Sequence, residues 1–400
     1  MKHVTERASC RLCSNKSFNS ILNLGYSALA NDFIWEKNTK QETYPLHLHQ
    51  CQDCGLFQLL DIVNPELMFS EYIYKSGTSQ VMRDHFNKYA NDVVDFLNLQ
   101  PDDLVVDLGS NDGTLLKAFK QRGMCVVGVE PASNLADAAN GEEIETINSF
   151  FNIEVATNIV NEFGKAKLVT MNNCLAHLDN IDEIIAGVKE LLDDDGVFIF
   201  ENAYFMDSLK TNDFSQVYHE HLSYFTVKPL YEYFIKQGMT LYRVEKQNIH
   251  GGSIKCFVRQ IGIEETSENV QKILNEEENI KTSFQENVKS LSTKLKLKLK
   301  VLKGKGKSIA GVCAAAKSTT LLHYCDIGTE ILDCIFDDAS DKQGKFSPGK
   351  NIPILPFSDL KEKNPDYLLI LSYNFTELMI NKYPEYKGKW ITCFPEVKII

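Results

Sequence analysis

The stretch Leu104-Val105-Val106-Asp107-Leu108-Gly109-Ser110-Asn111-Asp112-Gly113-Thr114-Leu115-Leu116-Lys117-Ala118-Phe119 decides the fold. A short apolar run suits a buried strand, and the amphipathic run from Thr114 suits a helix, so the turn between them is a strand-to-helix joint. Gly109 lets the backbone come close to a ligand, and Gly113 lets the helix start against it. The spacing is Asp-x-Gly-x-x-x-Gly, not the dinucleotide G-x-G-x-x-G: Asp107 stands where the first glycine would be, and the loop is one residue longer. The next strand, Cys125-Val126-Val127-Gly128-Val129-Glu130, ends in an acid about 20 residues after Gly109, where a carboxylate meets ribose hydroxyls in such βαβ units.

Outward from this joint the alternation continues. A helix is expected over 84–97, then helices over 133–139 and 181–192 and strands over 166–171 and 196–202, which implies a mainly parallel, doubly wound sheet. Ligands lie at the carboxyl ends of such strands, so Asn172, Asn173 and His177 are expected to share a cleft with Asp107 and Glu130. Segments 239–246 and 253–260, joined through His250-Gly251-Gly252, suit a closing hairpin. A long helical pattern over 264–301 comes next, ending in the alternating Lys294-Leu295-Lys296-Leu297-Lys298-Leu299-Lys300; the flanking charges favour a helix over a strand there. Strands over 308–313, 331–337 and 367–371 and a helix over 318–324 make a second α/β unit of Rossmann-like order. Its turn Ala314-Ala315-Ala316-Lys317 either presents amides to an anion or serves only as a wall.

The N-terminal part has different chemistry. Cys10-Arg11-Leu12-Cys13 and Cys51-Gln52-Asp53-Cys54-Gly55 are two C-x2-C knuckles 37 residues apart. Four thiolates complete the tetrahedral shell of Zn²⁺, which marks a structural site, and the residues between the knuckles must fold back as a hairpin or loop. His47 and His49 are not needed as ligands, since the shell is already full. Cys125, Cys174, Cys256, Cys313, Cys325, Cys334 and Cys393 lie scattered and read as small core residues. The expected organisation is α/β: a small zinc-binding domain over 1–68, a doubly wound domain over 69–262, and a C-terminal Rossmann-like domain over 263–400.

Four hundred residues, 44% of them hydrophobic, can bury a sizeable core, and a formal net charge of −12 disfavours a nucleic-acid partner. The first residues lack an apolar run of signal-peptide length, and no stretch reaches the roughly 18 apolar residues of a membrane helix. A cytoplasmic protein with no membrane partner is expected, and a monomer is compatible with a sequence that does not determine oligomeric state.

Val217-Tyr218-His219-Glu220-His221-Leu222 sets two histidines, a glutamate and a tyrosine in four successive positions, which no core requires. The zinc-protease pattern needs histidines four apart on a helix, and here they are two apart. Acid–base chemistry is the better reading, because an imidazole beside a carboxylate can be held near neutrality.

The knuckles, Glu71-Tyr72-x-Tyr74-x-Ser76-Gly77, the Asp107–Gly113 turn, Asn173-x-Leu175-Ala176-His177, Tyr218-His219-Glu220-His221, His250-Gly251-Gly252-Ser253 and Ala314-Ala315-Ala316-Lys317 occur in this order. The ordered set resembles the C-methyltransferases that act on nucleotide-linked 4-keto-6-deoxy sugars, with the middle domain of the class I methyltransferase fold. The resemblance implies that Asp107, Gly109, Asn111, Asp112, Gly113, Glu130, Asn172 and Asn173 bind S-adenosylmethionine. It implies His221 as the base at C3 of the sugar, with Tyr218 and Glu220 in its hydrogen-bonded set and His177 and Tyr72 on the sugar. One departure stands out: Val312-Cys313-Ala314-Ala315-Ala316-Lys317-Ser318 replaces the more usual Tyr-Gly-Ala-x-Ala-Lys-Gly. A sugar O-methyltransferase, or a non-catalytic sugar-nucleotide-binding protein on the same fold, are the alternative expectations.

Overall fold

The computed structural model describes residues 3–37, 39–69, 75–78, 80–249, 251–278 and 283–400. Tyr72, Tyr74 and His250 lie outside the described residues. The middle of the chain forms a seven-stranded sheet in the order Met239–Gln247, Ser253–Gln260, Leu192–Ala203, Ala166–Asn172, Leu104–Leu108, Cys125–Val129, Thr146–Ile147. The last five run parallel, and Ser253–Gln260 is antiparallel to both of its neighbours. Apolar residues on both sides of each central strand explain the two covered faces. Val105, Leu168 and Ile199 pack under the helices Gln80–Leu97 and Thr114–Gln121, while Val106, Val169 and Phe200 pack under Ile153–Phe163 and Ile181–Leu191. The chain leaves Leu104–Leu108 toward Cys125–Val129 on one side and returns as Ala166–Asn172 on the other, so the glycine turn sits at the topological switch point, where ligands bind in such sheets.

The zinc-knuckle region contributes Phe18–Ser27, Tyr44–Cys51 and Phe57–Leu59 to a four-stranded antiparallel sheet. Its fourth strand comes from far along the chain: Ser223–Tyr224 pairs with Phe57–Leu59, Ser223 opposite Gln58 and Tyr224 opposite Phe57. The expected hairpin between the knuckles is therefore present, and it is extended by the segment just after His221.

The C-terminal sheet has six strands, ordered Ile354–Leu355, Ile335–Phe336, Ile309–Val312, Tyr367–Ile370, Lys389–Thr392, Lys398–Ile399, all parallel but the last. The strand expected over 331–337 is only Ile335–Phe336, because Ile331 and Leu332 bury their side chains from the preceding turn. The helix expected over 264–301 is two helices, Glu268–Glu278 and Phe284–Gly304. The lysine-rich alternation lies inside the second: Leu291, Leu295, Leu299 and Leu302 are buried along one helical face, while Leu297 is exposed. Among the described residues no helix is long and apolar enough to cross a membrane.

Candidate functional site

The first of three constellations, the cysteine cluster, adjoins through Arg11 the other two, which lie in the loops beyond the central strands. In the first, the two knuckles bring Cys10 Sγ to 3.5 Å from Cys54 Sγ and Cys13 Sγ to 3.4 Å from Cys51 Sγ. All four sulfurs lie within 4.8 Å of one another. Tetrahedral zinc with bonds of about 2.3 Å needs sulfurs about 3.8 Å apart, so the donor set fits the ion in both number and spacing. His47 is turned away and meets Ser20 Oγ through Nε2 at 2.8 Å. Cys125 is exposed, contrary to the core reading, because it opens its strand at the rim of the sheet.

The second constellation is the turn after Leu104–Leu108. Gly109, Asn111 and Gly113 all take positive φ, at 73°, 53° and 73°, which folds the chain tightly enough for the helix Thr114–Gln121 to begin. A Cβ on Gly109 would lie 2.9 Å from Cys174 Sγ, so a side chain here would displace Cys174 as well as strain the turn. Glu130 braces the turn: Oε2 accepts from the Asn111 amide at 2.9 Å and Oε1 from the Ala132 amide at 2.9 Å. Burial pushes this carboxyl upward, and the two amides offset part of that rise. Each oxygen keeps a lone pair, so a ribose diol fits. Asp107 accepts from Thr170 Oγ1 at 2.6 Å, and burial pushes its carboxyl up to about 7. Asn111 Oδ1 accepts from the Ser76 amide at 2.9 Å and Asp112 Oδ2 from the Gly77 amide at 2.9 Å, so these two side chains hold the 75–78 segment over the turn. Asn173 (φ 53°) donates its amide to Glu201 O at 2.7 Å, and beside it Asn172 closes the strand Ala166–Asn172.

The third constellation joins two loops. His221 Nε2 lies 2.8 Å from Tyr218 Oη, and the His177 ring meets the His221 ring edge-on with centroids 4.9 Å apart. The Leu222 amide donates to Ala176 O at 2.8 Å, which locks the loops side by side. His177 is bonded to the backbone of Asn173 and Glu220, but burial dominates and pushes its imidazole down to about 4. Burial likewise raises Tyr218 well above the ordinary phenol range. Glu220 accepts from Asn31 Nδ2 at 2.6 Å through Oε1, and His219 points away, its Nε2 3.2 Å from Tyr44 O.

Two side chains at this cleft had no strong sequence signal. Cys174 reads as a small core residue, yet it packs on Gly109 and bridges the second constellation to the third. Asn202 lies near the carboxyl end of Leu192–Ala203, buried, with neither carboxamide atom hydrogen-bonded among the described residues, as an acceptor or donor for a polar ligand would be. Its position at a strand's carboxyl end is the signal that could have found it.

Comparison with known proteins finds three family matches along the chain. Residues 10–69 match a zinc binding domain family, 82–244 a methyltransferase domain, and 248–395 the C-methyltransferase C-terminal domain. C-methyltransferase NovU of Streptomyces niveus is 32% identical over 98% of this chain and 96% of its own length. Among solved structures, magnesium protoporphyrin IX methyltransferase from Synechocystis PCC 6803 with bound SAM aligns at 16% identity, TM-score 0.33, over 45% of this chain and 82% of that one. The PH0226 protein of Pyrococcus horikoshii OT3 aligns at 15% identity, TM-score 0.37, over 47% of this chain and 94% of that one.

Proposed function

The chain belongs to the S-adenosylmethionine-dependent C-methyltransferase family, and we propose that it methylates C3 of a nucleotide-linked 4-keto-6-deoxy sugar, with His221 as the base. Bound S-adenosylmethionine supplies an electrophilic methyl group. Asp107, Gly109, Asn111, Gly113 and Glu130 would hold it, Glu130 at the ribose; Asp112, Asn172 and Asn173 line the same end of the sheet. Everything else falls to the histidine loops.

A ketone at C4 acidifies the proton on C3. Neutral His221 takes that proton, and the electron pair passes into the ketone as an enolate whose carbon is then methylated. His177, held neutral at physiological pH, and Tyr218, held protonated by burial, can each direct a hydrogen toward the enolate oxygen, where the negative charge develops. Glu220, anchored by Asn31, fixes the loop between Tyr218 and His221. Tyr72, which the resemblance assigns to the sugar, lies outside the described residues. The observation that carries this reading is the Tyr218–His221–His177 contact, set one hydrogen bond and one Cys174 side chain from the glycine turn.

The test is a panel of nucleotide-linked 4-keto-6-deoxyhexoses incubated with S-adenosylmethionine and read by mass and NMR. A new methyl signal at a carbon-bound shift, with loss of the C3 proton, is expected. A methyl signal at an oxygen-bound shift would convert the assignment to O-methylation.

A further inference from the structure

Arg11 stands between two zinc-knuckle cysteines, yet its side chain is fully buried and reaches out of the knuckle. Nη1 donates to Leu59 O at 2.6 Å, to Leu222 O at 3.3 Å and to Gln58 Oε1 at 3.2 Å. Nε and Nη2 each lie 3.1 Å from Asp179 Oδ1. Gln58 in turn donates to Cys10 Sγ at 3.2 Å and accepts from the Arg11 amide at 3.3 Å. One planar guanidinium therefore touches the residue after His221 and the residue two places after His177, from a backbone pinned by a metal-ligand turn. Leu222 O also accepts from the Leu59 amide at 3.0 Å, so the first domain's sheet and this arginine grip the same carbonyl.

We propose that Arg11 is a positioning residue that sets the His177–His221 contact, so that the zinc knuckle acts on the reaction through it. The forked geometry of arginine is what lets one side chain hold a carboxylate and two carbonyls at fixed angles; a lysine would present one point charge. Arg7, which also bonds Asp179 Oδ1 at 3.0 Å, is partly exposed and does not reach Leu222, so it shares only one end of the tie. The proposal rests on the reading above for the roles of the two histidines, but its central measurement needs no substrate.

The experiment uses the full zinc-loaded chain with histidine rings isotopically labelled, comparing the unmodified protein with Arg11→Met and Asp179→Asn. Nuclear Overhauser contacts between the His177 and His221 rings report the geometry, metal analysis the zinc, and calorimetry the S-adenosylmethionine affinity. Arg11→Met is expected to keep its zinc and cofactor affinity, to lose the ring contact, and to lower kcat on a nucleotide-linked 4-keto-6-deoxyglucose roughly 10- to 100-fold with KM little changed. Asp179→Asn, outside the knuckle and half-exposed, is expected to weaken the contact and lower kcat by about a few-fold. An intact ring contact in both variants overturns the proposal. So does a loss that tracks zinc release in Arg11→Met while Asp179→Asn behaves as the unmodified protein. Should Arg11→Met not fold, Asp179→Asn decides alone by the same ring contact. Absence of turnover in every form would count against the substrate reading, and the ring contacts would still decide the role of Arg11.

Discussion

The two α/β sheets of this chain share one device and use it differently. In the first, Gly109 at φ 73° donates its amide to Val129 O, and the next strand's acid, Glu130, accepts the amides of Asn111 and Ala132. In the second, Cys313 at φ 70° donates to Phe336 O, and Asp337 accepts the amides of Ala314 at 2.6 Å and Ala339 at 2.8 Å. The carboxylate braces a left-handed turn in both. The residues beyond the turn differ. In the first sheet Asn111 and Asp112 carry polar side chains that accept the Ser76 and Gly77 amides. In the second the turn is alanines, and the helix Ala316–Tyr324 spends its hydroxyls on packing: Thr319 Oγ1 donates to Ala30 O at 3.1 Å and Thr320 Oγ1 to Val217 O at 2.8 Å. Thr320 thus ties the second sheet's first helix to the backbone just before the Tyr218–His221 loop. Two residues before each left-handed residue the contrast repeats. The first sheet buries Asp107, whereas the matching Gly311 has Leu371 2.9 Å from where a Cβ would stand.

The comparison breaks first at the base. His221→Asn is expected to keep the fold and cofactor affinity and to lose methyl transfer by roughly 10² to 10⁴. His219→Asn is the control, since that ring faces Tyr44 O. Solvent deuterium exchange beside the ketone, followed with an unreactive cofactor analogue, is the readout. Unchanged exchange in His221→Asn would move the base to His177 or Tyr218.

The buried acid of the first sheet gives the next effect. Folded Asp107 holds its proton up to about 7, while the unfolded chain releases it near 4, so between those values the folded state binds more protons. Stability from this group is full below about pH 4 and is lost as pH rises through about 7. Thermal melts across that range should therefore show the unmodified protein falling relative to Asp107→Asn by a few kcal/mol. Parallel curves would mean the carboxyl is not held up.

The braces come third. Glu130→Gln and Asp337→Asn each set an amide N–H against a new donor, and both should lower the melting temperature. Only Glu130→Gln should also weaken S-adenosylmethionine binding, by roughly 1 to 3 kcal/mol in calorimetry. Equal cofactor losses in the two variants would erase the difference between the sheets. Smallest is Thr320→Val, which leaves Val217 O without this donor at a cost of about 1 kcal/mol in denaturant unfolding, with cofactor affinity unchanged.

Much of this molecule is legible in the order of its residues. Paired C-x2-C spacing names a tetrathiolate site because a tight turn can present two sulfurs at once, and an apolar strand running into Asp-x-Gly-x-x-x-Gly names a ligand-binding turn because glycine takes left-handed angles without steric cost. These signals are local, carried by a few residues of backbone. The fold class and the cofactor end of the sheet derive from them.

Only the tertiary structure decided what the local signals serve. No spacing rule links Ser223–Tyr224 to a sheet made near residue 58, for strand pairing at that separation depends on the whole chain closing. Arg11 carries no signal of its own inside the knuckle spacing, and its reach to Asp179 and Leu222 exists only because 168 and 211 residues of chain return to it. The strand expected over 331–337 shrank because burial of Ile331 and Leu332 is satisfied from a turn as well as from a strand, and apolar content cannot tell the two apart. Cys313 in a left-handed turn is the converse case, where the brace from Asp337 and the surrounding sheet hold a conformation that the residue's own preference disfavours.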